Sequence, residues 1–208
     1  MNISASKENI LKKIRKALSE STPLPFPASE GSQSVFKARE DDLELLFAGA
    51  FSKLQGKFSF CIDGNDLKLQ LTSLVKEMGL KNIYCPEKNL QNLLGGYGEY
   101  GDVKTCGASI TSCEYLVART GSIILSSAQE YGRTTSVYAP IHICIATTDQ
   151  LVYDVRDGLK MMKEKYGSAL PSMISFASGP SRTADIEKTL VVGVHGPKEV
   201  YLFLTDKF

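Results

Sequence analysis

From Asp41 onward the apolar positions change period repeatedly along the chain. Leu43, Leu46, Phe47, Ala50 and Leu54 recur at three- and four-residue steps, which predicts an amphipathic helix. The short apolar run 57–62 predicts a strand, 66–78 a second helix, and 82–85 a second strand. Further strands are expected at 122–126, 142–146, 173–176 and 199–204, with helices near 112–118, 154–166 and 183–192. Short strands alternating with helices mark parallel β–α–β construction, so the class is α/β, with a mostly parallel sheet covered by helices on both faces. Such sheets take ligands outside the carboxyl ends of their strands, and candidate chemistry is expected there.

The first residues follow a different pattern. Ile3, Ile10, Leu11, Ile14, Ala17 and Leu18 share one side of a helix, and Lys12, Lys13, Arg15 and Lys16 the other. A helix docked on the body with a solvated face is favoured over a membrane-surface or partner-docking helix, because Glu8 and Glu20 dilute the charge and no aromatic residue anchors it. Ser21-Thr22-Pro23-Leu24-Pro25-Phe26-Pro27 cannot continue that helix, since proline lacks the amide donor. Residues 1–34 are therefore expected to form an N-terminal helix and Pro-rich linker, and 35–208 the folded domain.

Composition narrows the function classes. The chain has 208 residues, 43% of them apolar, with 24 Lys and Arg against 23 Asp and Glu for a formal net charge of +1. This is the make-up of an ordinary soluble globular protein, and a near-neutral balance argues against a nucleic-acid binder that works by neutralising phosphates over a large face. Cys61, Cys85, Cys106, Cys113 and Cys144 contain no C-x-x-C pair, so no metal or iron–sulfur site is expected in this chain. An odd number of cysteines, mostly inside apolar runs, fits reduced, buried thiols in a cytoplasmic protein. Residues 1–8 show no apolar leader, and no apolar stretch reaches the roughly 18 residues a membrane span needs.

Several stretches could carry chemistry. Gly96-Tyr97-Gly98-Glu99-Tyr100-Gly101 matches G-x-G-x-x-G, but a helical segment precedes it and an extended 102–105 follows, so it reads as a loop and not a dinucleotide site. Thr120-Gly121-Ser122 opens an apolar strand, where glycine and hydroxyl could cradle an anion or simply form a turn. Gly132-Arg133-Thr134-Thr135-Ser136 and Pro140-Ile141-His142 bring a guanidinium, hydroxyls and an imidazole to one strand mouth; His142 could be a base or a hydrogen-bonded core histidine. In Ser178-Gly179-Pro180-Ser181-Arg182-Thr183-Ala184-Asp185-Ile186-Glu187 a strand is expected to turn into a helix N-terminus. Ser181, Arg182 and Thr183 would hold an anion there, while Asp185 and Glu187 offer base or partner carboxylates; a well-capped structural helix is the plainer alternative.

That last stretch, with Leu190-Val191-Val192-Gly193-Val194-His195-Gly196-Pro197, resembles the hallmark of the LUD domain family in its short, cluster-free lactate utilization protein C form. Thr120-Gly121-Ser122, Gly132-Arg133 and Pro140-Ile141-His142 are similar to the same family. The resemblance implies a three-layer α/β/α sandwich of the NagB/RpiA/CoA transferase-like group. It also implies a role in bacterial oxidation of L-lactate to pyruvate, with iron–sulfur clusters on partner subunits and no cofactor in this chain. The residue before Thr120-Gly121, acidic in many relatives, is Arg119 here and adds a cation to the expected cleft.

On this reading Gly121, Ser122, Arg133, Ser181, Arg182 and Thr183 bind a small carboxylate or phosphate, and His142, Asp185 and Glu187 are the candidate catalytic groups. His142 is the candidate base for the lactate hydroxyl, although no redox group is encoded here. Two rivals stand beside it: a stand-alone enzyme on a sugar phosphate or acyl-CoA, and a non-catalytic assembly subunit.

Overall fold

The computed structural model describes residues 5–19, 42–94, 102–186, 189–193 and 195–206. The glycine motif 96–101, the linker to residue 34 and Glu187 lie outside them. Residues 1–38 and 39–208 form two separate units. In the first, helix α1 (Ala5–Ser19) carries Glu8 in its first turn and Lys16 in its last, with Ile10 and Ile14 exposed.

In the second unit α2 (Leu43–Lys53) starts where the Asp42 carboxylate accepts the Glu44 N–H at 3.1 Å, and its period buries Leu43, Phe47 and Phe51. β1 (Lys57–Cys61) follows, then α3 (Gly64–Glu77), which Asp63 caps through the N–H groups of Asn65 and Asp66. β2 (Ile83–Tyr84) and α4 (Lys88–Leu94) lead to β3 (Ala108–Thr111), β4 (Tyr115–Val117) and β5 (Ser122–Ser126). The rest is α5 (Thr135–Tyr138), β6 (Ile141–Thr147), β7 (Leu151–Val152), α6 (Val155–Tyr166), β8 (Ile174–Ala177), β9 (Arg182–Ile186), β10 (Thr189–Val192) and β11 (Glu199–Thr205).

Five strands make an all-parallel sheet in the order β1-β11-β6-β3-β2. A second, mixed sheet runs β7-β4-β5-β8, and β9 pairs with β10 as an antiparallel hairpin. The strand period of two splits β6 cleanly. Ile143 and Ile145, with Ile110 and Phe203, pack under α3 and α4, whereas Cys144 and Ala146, with Leu202 and Leu204, meet α2 and the second sheet. Because both faces are covered, β6 and β11 read as near-continuous apolar runs, and each fully buried large side chain contributes about 1.5–3 kcal/mol. The far side of the second sheet (Val117, Ile124, Val152) packs on Met162 of α6.

Several sequence expectations need correction. The expected cover of helices on both faces of the parallel sheet holds only for the α3/α4 face; the second sheet and α2 cover the other. The stretch 112–118, expected as helix, leaves β3 and enters β4, because Tyr115, Leu116 and Val117 pair with Ile124, Ile123 and Ser122. Residues 102–105, expected extended, turn back: the N–H groups of Thr105 and Cys106 both reach Asp102 O. The expected helix 183–192 is the β9–β10 hairpin, with Val191 opposite Thr183 and Val192 opposite Arg182. Its β-branched residues are stiff at χ1 and suit a pleated strand better than a helix, so the local capping signals lose.

Candidate functional site

Three stretches distant in sequence close around one hollow of about 300 Å³. The turn after β8 supplies Ser178, Gly179, Pro180 and Ser181, the turn before β11 supplies Gly196 and Pro197, and α5 supplies Ser136 and Val137. His142 of β6 and Val200 of β11 form its back, with Leu125 and Ser175 from the second sheet. None of the lining residues carries a formal charge at neutral pH. The hollow lies at the amino ends of β6 and β11, since His142 and Val200 are the second residues of their strands. The carboxyl-end expectation is therefore not met.

The two turns are bolted together by backbone. Ser181 N–H donates to Pro197 O at 2.9 Å and Ser181 O accepts from Gly193 N–H at 2.9 Å. Gly196 sits so close to Ser181 that an added Cβ would come within 2.7 Å of the serine Cβ. Ser178 Oγ, on the rim, is 2.7 Å from Ser122 Oγ, which is also 2.8 Å from Thr120 Oγ1. A chain of hydroxyls thus joins the Thr120-Gly121-Ser122 turn to the hollow without Gly121 entering it.

His142 is 1% exposed, and its Nε2 lies 2.8 Å from Thr111 Oγ1 on the neighbouring strand. Burial pushes its pKa down from 6.5 to about 4, so the imidazole is neutral at physiological pH.

The cations lie elsewhere. Arg182 is exposed and donates from Nη2 to Leu54 O at 2.8 Å, and Arg133 donates to Ser172 Oγ. Arg119 pairs with Asp154 at 2.5 Å, beside a separate groove along α2. Asp154 caps α6; burial opposes its charge, but the Arg119 guanidinium and backbone N–H groups outweigh that and hold the carboxyl below its usual range. Gly121, with φ +61°, serves α2: an added Cβ would lie 2.5 Å from Phe51 N. Thr183 and Asp185 lie on β9, so the expected anion cradle at a helix N-terminus does not exist. His195 is exposed and borders a neighbouring hollow with Tyr138, Pro140 and Lys198.

At the carboxyl ends of β2 and β3 the polar groups satisfy one another. Glu87 accepts from Ser112 N–H at 2.7 Å and Ser112 Oγ at 2.5 Å, while burial pushes its pKa up. The five thiols are free and buried, and burial raises Cys61 and Cys85 to about 11 and about 12. Among the described residues no group of three or more His, Cys, Asp or Glu side chains is placed to hold a metal ion, and no helix is long and apolar enough to cross a membrane.

Sequence reasoning missed Thr111, Ser175 and Val200 as neighbours of His142. Thr111 lies on β3, a strand absent from the expected elements. Its Ala108-Ser109-Ile110-Thr111 alternation was the available signal.

Comparison with known proteins places the chain in a family. The sequence profile described as LUD domain matches residues 100–205. Lactate utilization protein C of Bacillus licheniformis is 36% identical over 101 residues, spanning 47% of this chain and 42% of that one. Lactate utilization protein C of Bacillus subtilis is 35% identical over 101 residues, with the same coverage. The chain thus matches less than half the length of these curated relatives. An uncharacterized protein of Neisseria meningitidis, NMB1437, is 26% identical over 95% of this chain and 92% of its own. Among solved structures, a DUF162 family protein from Deinococcus radiodurans shares the fold, with TM-score 0.59 and 18% identity over 78% of this chain and 96% of that one. The matched profile contains β6, the turns at 178–181 and 196–197, and β11, the elements that build the hollow; the chain belongs to the LUD domain family.

Proposed function

We propose that this chain is a component of a bacterial L-lactate utilization system. Partner subunits carrying iron–sulfur clusters oxidise L-lactate to pyruvate, and the hollow at His142 holds a small anionic ligand. The observation that carries the reading is the convergence of family-motif stretches from three parts of the chain on one hollow. Its volume of about 300 Å³ is at the small end for ligand pockets. Serine hydroxyls and an imidazole suit carboxylate and carbonyl oxygens, since hydrogen bonds to a charged acceptor are stronger than neutral ones. Likeness to lactate utilization protein C supports the pathway. The all-parallel sheet supports assignment to the NagB/RpiA/CoA transferase-like group, with a second sheet beside α2 on one face. Buried free thiols support a cytoplasmic location. In this reading residues 1–34 are an N-terminal helix and Pro-rich linker, and 35–208 is the ligand-binding body.

The assembly-subunit reading has one observation in its favour: the hollow is lined by uncharged groups and a histidine held neutral, which suits binding more than proton transfer. No observation favours the stand-alone enzyme, which needs Asp185 or Glu187 as base or nucleophile.

The test has two arms. Deleting the gene is expected to abolish growth on L-lactate while growth on glucose is kept; unchanged growth on L-lactate overturns the pathway. Calorimetry of the full chain is expected to show binding of L-lactate or pyruvate and none of glucose 6-phosphate or coenzyme A; the reverse preference overturns the ligand class.

A further inference from the structure

The hydrogen-bond inventory around His142 assigns its protonation state. Among the described residues Thr111 Oγ1 has one hydrogen-bond partner, His142 Nε2, at 2.8 Å. Thr111 is fully buried, so water does not reach its hydroxyl. If Nε2 carried the proton and donated to Thr111, the threonine's own proton would be stranded without an acceptor. If Thr111 donates to Nε2, both atoms are satisfied and the ring proton resides on Nδ1.

Nδ1 has no hydrogen-bond partner among the described residues, yet it is not sealed either. The single sealed, unpartnered side-chain polar atom among them is Ser109 Oγ, on the residue in register with His142 on β3. His142 lines the hollow and its Nε2 is taken by Thr111, which leaves Nδ1 as the ring nitrogen available to a ligand there. Unspent hydrogen-bonding capacity is therefore concentrated at this point of the sheet.

We infer that His142 is a fixed, uncharged N–H donor into the hollow, that Thr111 is the positioning residue that sets its tautomer, and that the ligand presents an acceptor oxygen there. This rests on reading the hollow as the ligand site and deepens it: the site selects a carboxylate or keto oxygen, and His142 does not take a proton from a substrate hydroxyl. Ser136, Ser175 and Ser181 add hydroxyls around the same space, so an acid with several acceptor oxygens meets donors on more than one side.

The chain has only two histidines, so nitrogen-15 NMR of the full protein labelled at histidine resolves both rings, and His195→Asn assigns them. The expected result at neutral pH is a His142 ring protonated at Nδ1. Thr111→Val is expected to shift the tautomer towards Nε2–H and to weaken pyruvate binding about tenfold, and Thr111→Ser to restore both. A wild-type ring protonated at Nε2 overturns the inference, whatever binds. So does a Thr111→Val protein, folded by its amide spectrum, in which the Nδ1–H tautomer is unchanged. If the tautomer is as expected but neither pyruvate nor L-lactate moves the Nδ1 signal, the assigned donor stands and the proposed ligand falls.

Discussion

Arg182 donates from Nη2 to Leu54 O at 2.8 Å, closing the carboxyl end of α2 with a guanidinium. The same carbonyl would lie 2.5 Å from a Cβ added at Gly179, whose φ is +79°. The turn after β8 is thereby pinned to a helix end, where a cation meets the negative end of the helix dipole.

Arg182→Ala should cost about 1 kcal/mol, because the bond is solvent-exposed, and should leave pyruvate affinity within about twofold. Urea denaturation and calorimetry measure the two. Loss of binding with stability intact would place the guanidinium on the ligand.

Gly121 faces a harder limit. A methyl group there meets the α2 backbone at Phe51 and a left-handed φ of +61° at once, so Gly121→Ala should destabilise by about 3 kcal/mol. A cooperative unfolding curve close to wild type would show that α2 can move away from the turn.

His142 makes a pH prediction. Its folded pKa is depressed to about 4 from 6.5, so the unfolded chain binds this proton more readily. Its contribution is complete above pH 6.5 and is lost as pH falls towards about 4, amounting to roughly 2 kcal/mol between pH 7 and 5. Glu87, raised by burial, works in the opposite direction, so the comparison must be with His142→Gln. The stability gap between wild type and variant should narrow by that amount on acidification; a gap independent of pH would mean that burial does not shift the histidine, and a gap that widens would mean that it is protonated in the fold.

Glu114 is the buried carboxylate that joins the second sheet to α6. It accepts from Ser126 Oγ at 2.5 Å, Lys165 Nζ at 2.7 Å and the Tyr166 hydroxyl at 2.7 Å, with its side chain fully buried. Glu114→Ala should cost about 3 kcal/mol by stranding two hydroxyls, whereas Lys165→Met should cost less, about 1–2 kcal/mol, because the two hydroxyls still bond the buried carboxylate that loses its half-exposed cation. Equal losses would mean that the ion pair, and not the hydroxyls, carries the link.

Much of the parallel sheet could be read from the chain. β1, β6 and β11 fall within a residue or two of expectation, the last two because buried parallel strands leave unbroken apolar runs, and in the mixed sheet β5 coincides with the strand predicted at 122–126 and β8 lies one residue from its prediction. β3 and β4 were hidden. Ser109 and Thr111 interrupt the first with hydroxyls whose place beside His142 only tertiary structure shows. The β9–β10 hairpin misled because Ser181, Thr183 and Asp185 satisfy helix-start rules locally while pairing with Val191 and Val192 decides the outcome. At the site, His142 and Ser181 do converge. Arg133 and Arg182 do not, because a long side chain's destination is set by partners such as Ser172 and Leu54 that no spacing rule connects to it.

Strand β11 lies between β1 and β6, bonded to both along nearly its whole length. During synthesis, therefore, two apolar strands must wait with bare edges until residues 199–205 leave the ribosome, and a nascent chain stalled before that point presents ready templates for intermolecular pairing. Chaperone dependence should concentrate in the interval before residues 199–205 emerge, since β11 is the keystone of the sheet and not a trim.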